Sequence, residues 1–266
     1  MGIHELPIGT PAPPPGPWLQ LAPSIVLLTC LASGLIAFWI RTLVRGTYRD
    51  EHLLGRGASG IAGSWVGHYF AWVTTPIWAL VCRSGLPPNA ITSLSVVFSV
   101  GSALAIASGS FAFGGVLFVL AGTCDFFDGR LARHRGLTST AGAALDSVLD
   151  RYSDAFVLMG LAWFYRDHWA LVPCLFAMLG SALVPYIRAK GEALGVVMNN
   201  VGTMQRPERV AMLGGAIVLS PVVNALLSPR DLTGNHWLVI VAVVVLAVVT
   251  HLTALQRLFH LLRTLV

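Results

Sequence analysis

The chain has 266 residues, 55% hydrophobic and only 11% charged, with a mean hydropathy of +0.73; soluble domains carry about 25% charged residues, which excludes an ordinary soluble protein. A formal charge of +5 would suit a nucleic-acid binder, yet the chain has a single Lys, and its Arg residues stand at the ends of apolar segments rather than on one soluble face. We therefore expect no nucleic-acid partner, and an all-α polytopic membrane protein in contact with membrane lipids.

Residues 1–18 include Pro7, Pro11, Pro13, Pro14, Pro15 and Pro17, a composition that favours an extended, disordered tail over a helix. From 19 to 45 runs an apolar segment ending in Arg41 and Arg45, too long for a signal-peptide core and with no basic residue before it. It is expected to remain as an extra N-terminal transmembrane anchor. Residues 46–88 are mixed, and Trp65, Tyr69, Phe70, Trp72 and Trp78 favour the headgroup level, so an interfacial amphipathic helix is expected there. Six apolar segments follow within 89–266, at about 89–108, 111–131, 140–165, 168–192, 207–228 and 236–263. The breaks between them are Ser108-Gly109-Ser110, Arg135-Gly136, Arg166-Asp167-His168, the Gly195 to Pro207 loop and Ser228-Pro229-Arg230.

If the segment beginning at Asn89 starts in the cytoplasm, only Arg166 and Arg230 among the seventeen basic residues face outside. That asymmetry is the positive-inside pattern. It puts the acidic residues described next on the cytoplasmic side of the membrane.

Five of the twelve acidic residues, Asp125, Asp128, Asp146, Asp150 and Asp154, fall within thirty positions. Carboxylates at membrane depth are costly unless a cation or water compensates them. Asp125 and Asp128 are three apart at the end of one helix, and Asp146 and Asp150 four apart near the start of the next, so each pair shares a helix face. An antiparallel hairpin would join the pairs, and four converging carboxylates suit hard divalent cations, Mg2+ or Mn2+. A two-metal site for phosphoryl transfer is the natural expectation. Gly129, Ala132 and Gly142 leave room beside the carboxylates for a nucleotide to approach the backbone; taken singly, such residues would read as helix caps or packing positions.

The run Asp125-x2-Asp128-Gly129-x2-Ala132-Arg133-x8-Gly142-x3-Asp146-x3-Asp150 resembles the signature of the CDP-alcohol phosphotransferases, membrane enzymes of phospholipid synthesis, at every fixed position. Pro88-Asn89-Ala90-Ile91-Thr92 is similar to the P-N-x-I-T that opens the first core helix of that family. The resemblance covers about residues 60–263. It implies six core helices, a homodimer, and transfer of a phosphoalcohol group from a CDP-linked donor with release of CMP. By position it implies Asp125, Asp128 and Asp146 as metal ligands, with Asp150 the general base and a further metal contact. Asp128, Gly129, Ala132, Arg133 and Gly142 would frame the CDP moiety.

A second constellation, Arg188, Lys190, Arg206 and Arg209, flanks one cytoplasmic loop. It is either positive-inside charge or an anion pocket for an acceptor that carries its own phosphate. The stretch resembles the phosphatidylinositol-phosphate synthases, as does Asp150-Arg151-x-Ser153-Asp154. That likeness implies CDP-diacylglycerol as donor, inositol phosphate as the favoured acceptor with glycerol 3-phosphate as runner-up, and Lys190, Arg206, Arg151 and Arg209 at the acceptor phosphate. Gln205 replaces the first Glu of an E-R-P-E-R motif, and Gly191 stands where a larger residue is common.

Other features carry little. Gly55-Arg56-Gly57-Ala58-Ser59-Gly60 fits a dinucleotide fingerprint only formally, because no strand precedes it. Cys30, Cys82, Cys124 and Cys174 lie singly in apolar stretches and read as reduced. His134 reads as a headgroup-facing loop residue. A cation transporter would scatter its acids through several helices, whereas here they are confined to one hairpin.

Overall fold

The computed structural model describes residues 17–48, 50, 63–198, 201–227 and 234–265. Most of the Pro-rich tail, the glycine-rich stretch 55–60 and the Ser228-Pro229-Arg230 turn lie outside them. Among the described residues the chain is helical with no strand. The helices are α1 (Pro17–Arg45), α2 (Gly63–Val73), α3 (Thr75–Arg83), α4 (Pro88–Ala107), α5 (Phe111–His134), α6 (Thr140–Phe164), α7 (Leu171–Ala193), α8 (Arg206–Leu227) and α9 (Trp237–Leu265).

Helix α4 shows why these segments pack as they do. Pro87 is held extended and Pro88 occupies the first turn, where a missing N–H costs nothing. Along one face Thr92, Ser95, Ser99 and Ser102 are buried. The Ser95 and Ser99 hydroxyls donate to carbonyls of their own helix, while Ser102 Oγ donates to Gly114 O across the turn at 2.8 Å. Small hydroxylated residues let helix backbones approach closely, as in membrane bundles generally.

Helices α4 to α9 close a ring: α4 packs on α5 and α6, α6 on α7, α7 on α9, α9 on α8, and α8 on α5. A buried cluster including Phe111, Phe118, Leu161, Tyr165, Ile217 and Leu246 fills one half of it. The two acidic helices bring Asp125, Asp128 and Asp146 together at the ends joined by their turn, though few other contacts link them. Both lean on α4 instead, because Gly160 of α6 sits so close to Ala103 that an added Cβ would lie 2.5 Å from its carbonyl oxygen. Gly160→Ala is expected to lower stability by about 1–3 kcal/mol, since backbone cannot yield as a flexible side chain does. A fall in Tm in detergent would register it, and an unchanged Tm would remove this explanation.

Six helices, α1 from Gln20, α4, α5, α7, α8 and α9, are long and apolar enough to cross a membrane. Helix α6 has 25 residues, about 37 Å at 1.5 Å per residue, but it is more polar because Asp146, Asp150, Arg151 and Asp154 fall within its first fifteen.

The anchor α1 lies outside the ring against α5 and α8, with α2 beside it. Phe38, 1% exposed, packs edge-on to Tyr48, Trp65 and Tyr69, and Tyr69 Oη donates to Leu31 O at 2.5 Å. Beyond α1, Asp50 is buried and pairs with Arg130 of α5 at 3.1 Å. The Asp50 N–H donates to His68 Nδ1 at 3.0 Å, and the Arg130 guanidinium lies 4.6 Å over the Trp78 ring. The stretch between α1 and α4 thus contains two short helices among its described residues, α2 and α3, and it is fastened to α5. His134 is the last residue of α5 rather than a loop residue, with its ring edge-on to Trp78. The four cysteines are free.

Candidate active site

Helix α5 ends in a turn that fixes where the next helix starts. Gly136 takes a φ of +65°, which a glycine accepts without strain. The Leu137 N–H then donates back to Ala132 O at 2.8 Å. Ser139 caps α6, its Oγ accepting from the Gly142 N–H at 3.0 Å. This turn sets the end of α5 and the start of α6 side by side, with the first turn of α4 against both.

One carboxylate oxygen from each of Asp125, Asp128 and Asp146 lies within 4.8 Å of the other two. Asp128 is 5% exposed and accepts a hydrogen bond from the Gly129 N–H. Its Oδ2, like Asp125 Oδ1, is buried with no hydrogen-bond partner. A buried unsatisfied polar group costs about 1–3 kcal/mol, more when charged, so these oxygens fit a divalent cation, whose preferred ligands are carboxylate oxygens. Asp150 stands outside this triad. Its Oδ1 lies 2.9 Å from Arg206 Nη1, an ion pair without hydrogen-bond alignment.

Arg206, at the start of α8, reaches into the carboxylates. Its Nη1 also donates to Asp125 Oδ2 and its Nε to Asp154 Oδ1 at 3.3 Å, while Arg209 Nη2 donates to Asp154 Oδ2 at 3.4 Å. Three of the five carboxylates, Asp125, Asp150 and Asp154, thus share two guanidiniums. The small residues read from the sequence lie beside the carboxylates. Gly129 and Ala132 follow Asp128 on α5, and exposed Arg133 is one turn beyond Gly129. Gly142 is half-buried and faces Asn89, whose Oδ1 would lie 3.8 Å from an added Cβ.

Beside Asp150 and Asp154 opens a cavity of about 240 Å³ lined by Arg151, Arg188, Arg206, Arg209 and Arg257. Three of the four sequence-predicted acceptor cations are therefore in its wall. Lys190 is not; it is exposed in the last turn of α7 and does not line the cavity. Arg188, two residues earlier, does, and it pairs with Glu192 at 2.8 Å. Gly191 is explained by Met198, whose side chain packs where a Cβ would be.

Arg257 is a residue that sequence reasoning missed. It is 7% exposed, and its Nε and Nη1 donate to Val201 O at 2.9 Å and Val184 O at 2.8 Å, so α9 delivers it rigidly to the cavity. A signal existed: Val243, Leu246, Thr250, Thr253 and Arg257 recur at alternating steps of three and four, and all are buried. Extending that stripe would have put Arg257 on the inner face.

The comparisons agree with this geometry. The family model for CDP-alcohol phosphatidyltransferase matches residues 86–249. The phosphatidylinositol phosphate synthase of Mycobacteroides abscessus is 33% identical over 201 residues, 73% of this chain and 86% of that protein. The crystal structure of the Mycobacterium tuberculosis phosphatidylinositol phosphate synthase with CDP-DAG bound is 31% identical, superposes with a TM-score of 0.60, and is matched over 72% of this chain and 94% of its own. The structure of that enzyme with manganese and citrate gives a TM-score of 0.60 at 30% identity, over 71% of this chain and 88% of the other. A matched family model spanning the acidic signature, on an all-helical membrane-spanning frame that brings its carboxylates together, shows that the chain belongs to the CDP-alcohol phosphatidyltransferase family.

Proposed function

We propose that this integral membrane transferase moves a phosphatidyl group from CDP-diacylglycerol to a phosphorylated polyol, with inositol phosphate the favoured acceptor, and releases CMP. The observation that carries this reading is the arginine-lined cavity opening beside Asp150 and Asp154. A free alcohol would not need such a concentration of positive charge, whereas an acceptor phosphate does. The names and bound ligands of the relatives support the same donor and acceptor.

In this reading Asp150 takes the proton from the acceptor hydroxyl. The hydroxyl oxygen forms a bond to the diacylglycerol-bearing phosphorus, and the bridging P–O bond breaks with its electron pair leaving on CMP. Asp125, Asp128 and Asp146 would hold divalent metal, with either Mg2+ or Mn2+ chemically suitable, and the bound metal would supply positive charge to the leaving group. Gly129, Ala132, Arg133 and Gly142 border the nucleotide, with Asn89 on the facing turn. Arg151, Arg206 and Arg209, joined by Arg188 and Arg257, receive the acceptor phosphate. The positive-inside distribution of Arg supports an active site on the cytoplasmic face, and family resemblance supports a homodimer.

The test is CMP release by the purified protein from CDP-diacylglycerol with Mg2+ or Mn2+, with inositol 1-phosphate, glycerol 3-phosphate, inositol and serine offered separately. Inositol 1-phosphate is expected to stimulate and chelation of the metal to abolish release. Stimulation by glycerol 3-phosphate alone would keep the donor chemistry and overturn the acceptor.

A further inference from the structure

We propose that the N-terminal anchor carries a binding site for an anionic phospholipid, separate from the catalytic cavity. A groove of about 480 Å³ runs between α1 and α2, lined by Ala37, Ile40, Arg41, Val44, Arg45 and Trp72. On α1 these positions follow steps of three and four, so they form one continuous helix face. Ile40 and Val44, 56% and 76% exposed, form an apolar row open to the surroundings. Beside it runs a row that carries the two guanidiniums of Arg41 and Arg45, with no acidic side chain in the wall.

The charges at that end are available. Arg45 makes no ion pair or side-chain hydrogen bond among the described residues, and Arg41 rests 4.8 Å over the Tyr48 ring and donates from Nη1 to Gly46 O at 3.5 Å, which leaves its other guanidinium N–H groups for an anion. The closest carboxylate along the chain, Asp50, is bound to Arg130. Arginine presents a planar fork to phosphate oxygens, and Trp72 supplies an amphipathic ring of the kind that sits at headgroup level. An apolar row beside two guanidiniums, with an interfacial ring facing them, complements one class of molecule in this setting, a phospholipid with net negative charge, its phosphate at Arg41 and Arg45 and one acyl chain leading away along Ile40 and Ala37. Asp50, five residues past Arg45, touches Arg130 in the acidic stretch of α5, so this lipid would lie in the leaflet that faces the active site.

Trp72 makes the site testable without reference to turnover. The full-length protein is placed in nanodiscs containing phosphatidylglycerol and phosphatidylcholine, with either one brominated on its acyl chains, and tryptophan quenching is recorded. The brominated anionic lipid is expected to quench a Trp72 component more strongly, with an enrichment on the order of tenfold over the zwitterionic lipid from two arginines near the surface. Trp72→Phe removes that component, and Arg41→Gln with Arg45→Gln abolishes the preference while CMP release stays near wild type. Equal quenching by both lipids in the wild type would overturn the proposal, because the groove would then hold only bulk lipid. So would a preference that survives either variant. Should the double arginine variant fail to fold, the wild type and Trp72→Phe comparison alone decides. The quenching readouts do not depend on the identity of the acceptor.

Discussion

Asp150→Asn is expected to lower CMP release by about 10²–10⁴-fold, the usual contribution of a positioned general base, while leaving CDP-diacylglycerol and Mn2+ binding close to wild type. Asparagine keeps the shape of the side chain and its place beside Arg206, 2.9 Å away in the present structure, but it cannot take a proton. The separation of Asp150 from the Asp125, Asp128 and Asp146 group makes the prediction two-sided. Asp128→Asn should weaken metal binding, since it removes charge from a carboxylate with an unpartnered buried oxygen, whereas Asp150→Asn should not. Single-turnover CMP release, paired with Mn2+ titration by electron paramagnetic resonance, separates the two effects. Near-normal turnover in Asp150→Asn would remove it from the role of base, and loss of Mn2+ binding there would make it a metal ligand first.

Arg206→Gln is the second large effect. This guanidinium touches Asp125, Asp150 and Asp154 at once and also lines the acceptor cavity. Removing it takes charge-assisted hydrogen bonds worth about 1.5–3 kcal/mol from whichever partner needs them most. With the acceptor phosphate as that partner, kcat/KM for inositol 1-phosphate falls by roughly 10–100-fold and donor affinity changes little. Arg206→Lys is expected to rescue poorly, because an ammonium is a point charge and cannot span three carboxylates as a planar fork does. An unchanged acceptor KM with a lower kcat would instead assign Arg206 to holding Asp125 and Asp150 in place.

The acidic signature was legible because its spacing maps directly onto helix faces, and the apolar segments were legible because length and hydropathy settle what can span a bilayer. Boundaries came within a few residues, as the turn at Arg135-Gly136 shows. What the sequence hid were contacts between residues far apart in the chain. Nothing in the spacing of Asp125 and Arg206 says that a side chain 81 positions later enters the carboxylate group. Nor does it say that α4 separates α5 from α6, which depends on the bare backbone at Gly160. The resemblance puts Lys190 at the acceptor phosphate, yet the cavity wall is built from arginines, including Arg257 toward the end of an apolar helix where a charge reads as topology alone.

The pairing of Asp50 with Arg130 bears on how far the protein can be trimmed. The family model begins at residue 86, and a shortened version starting there would look sufficient on that basis. It would strand the Arg130 guanidinium, 12% exposed at present, without its counter-ion and without the Trp78 ring beneath it. A buried charge stripped of its partner costs about 3–5 kcal/mol, imposed on α5 two residues from Asp128. A minimal catalytic fragment would therefore need Arg130 neutralised as well, so the anchor region and the helical ring have to be inherited, expressed and engineered as a single piece.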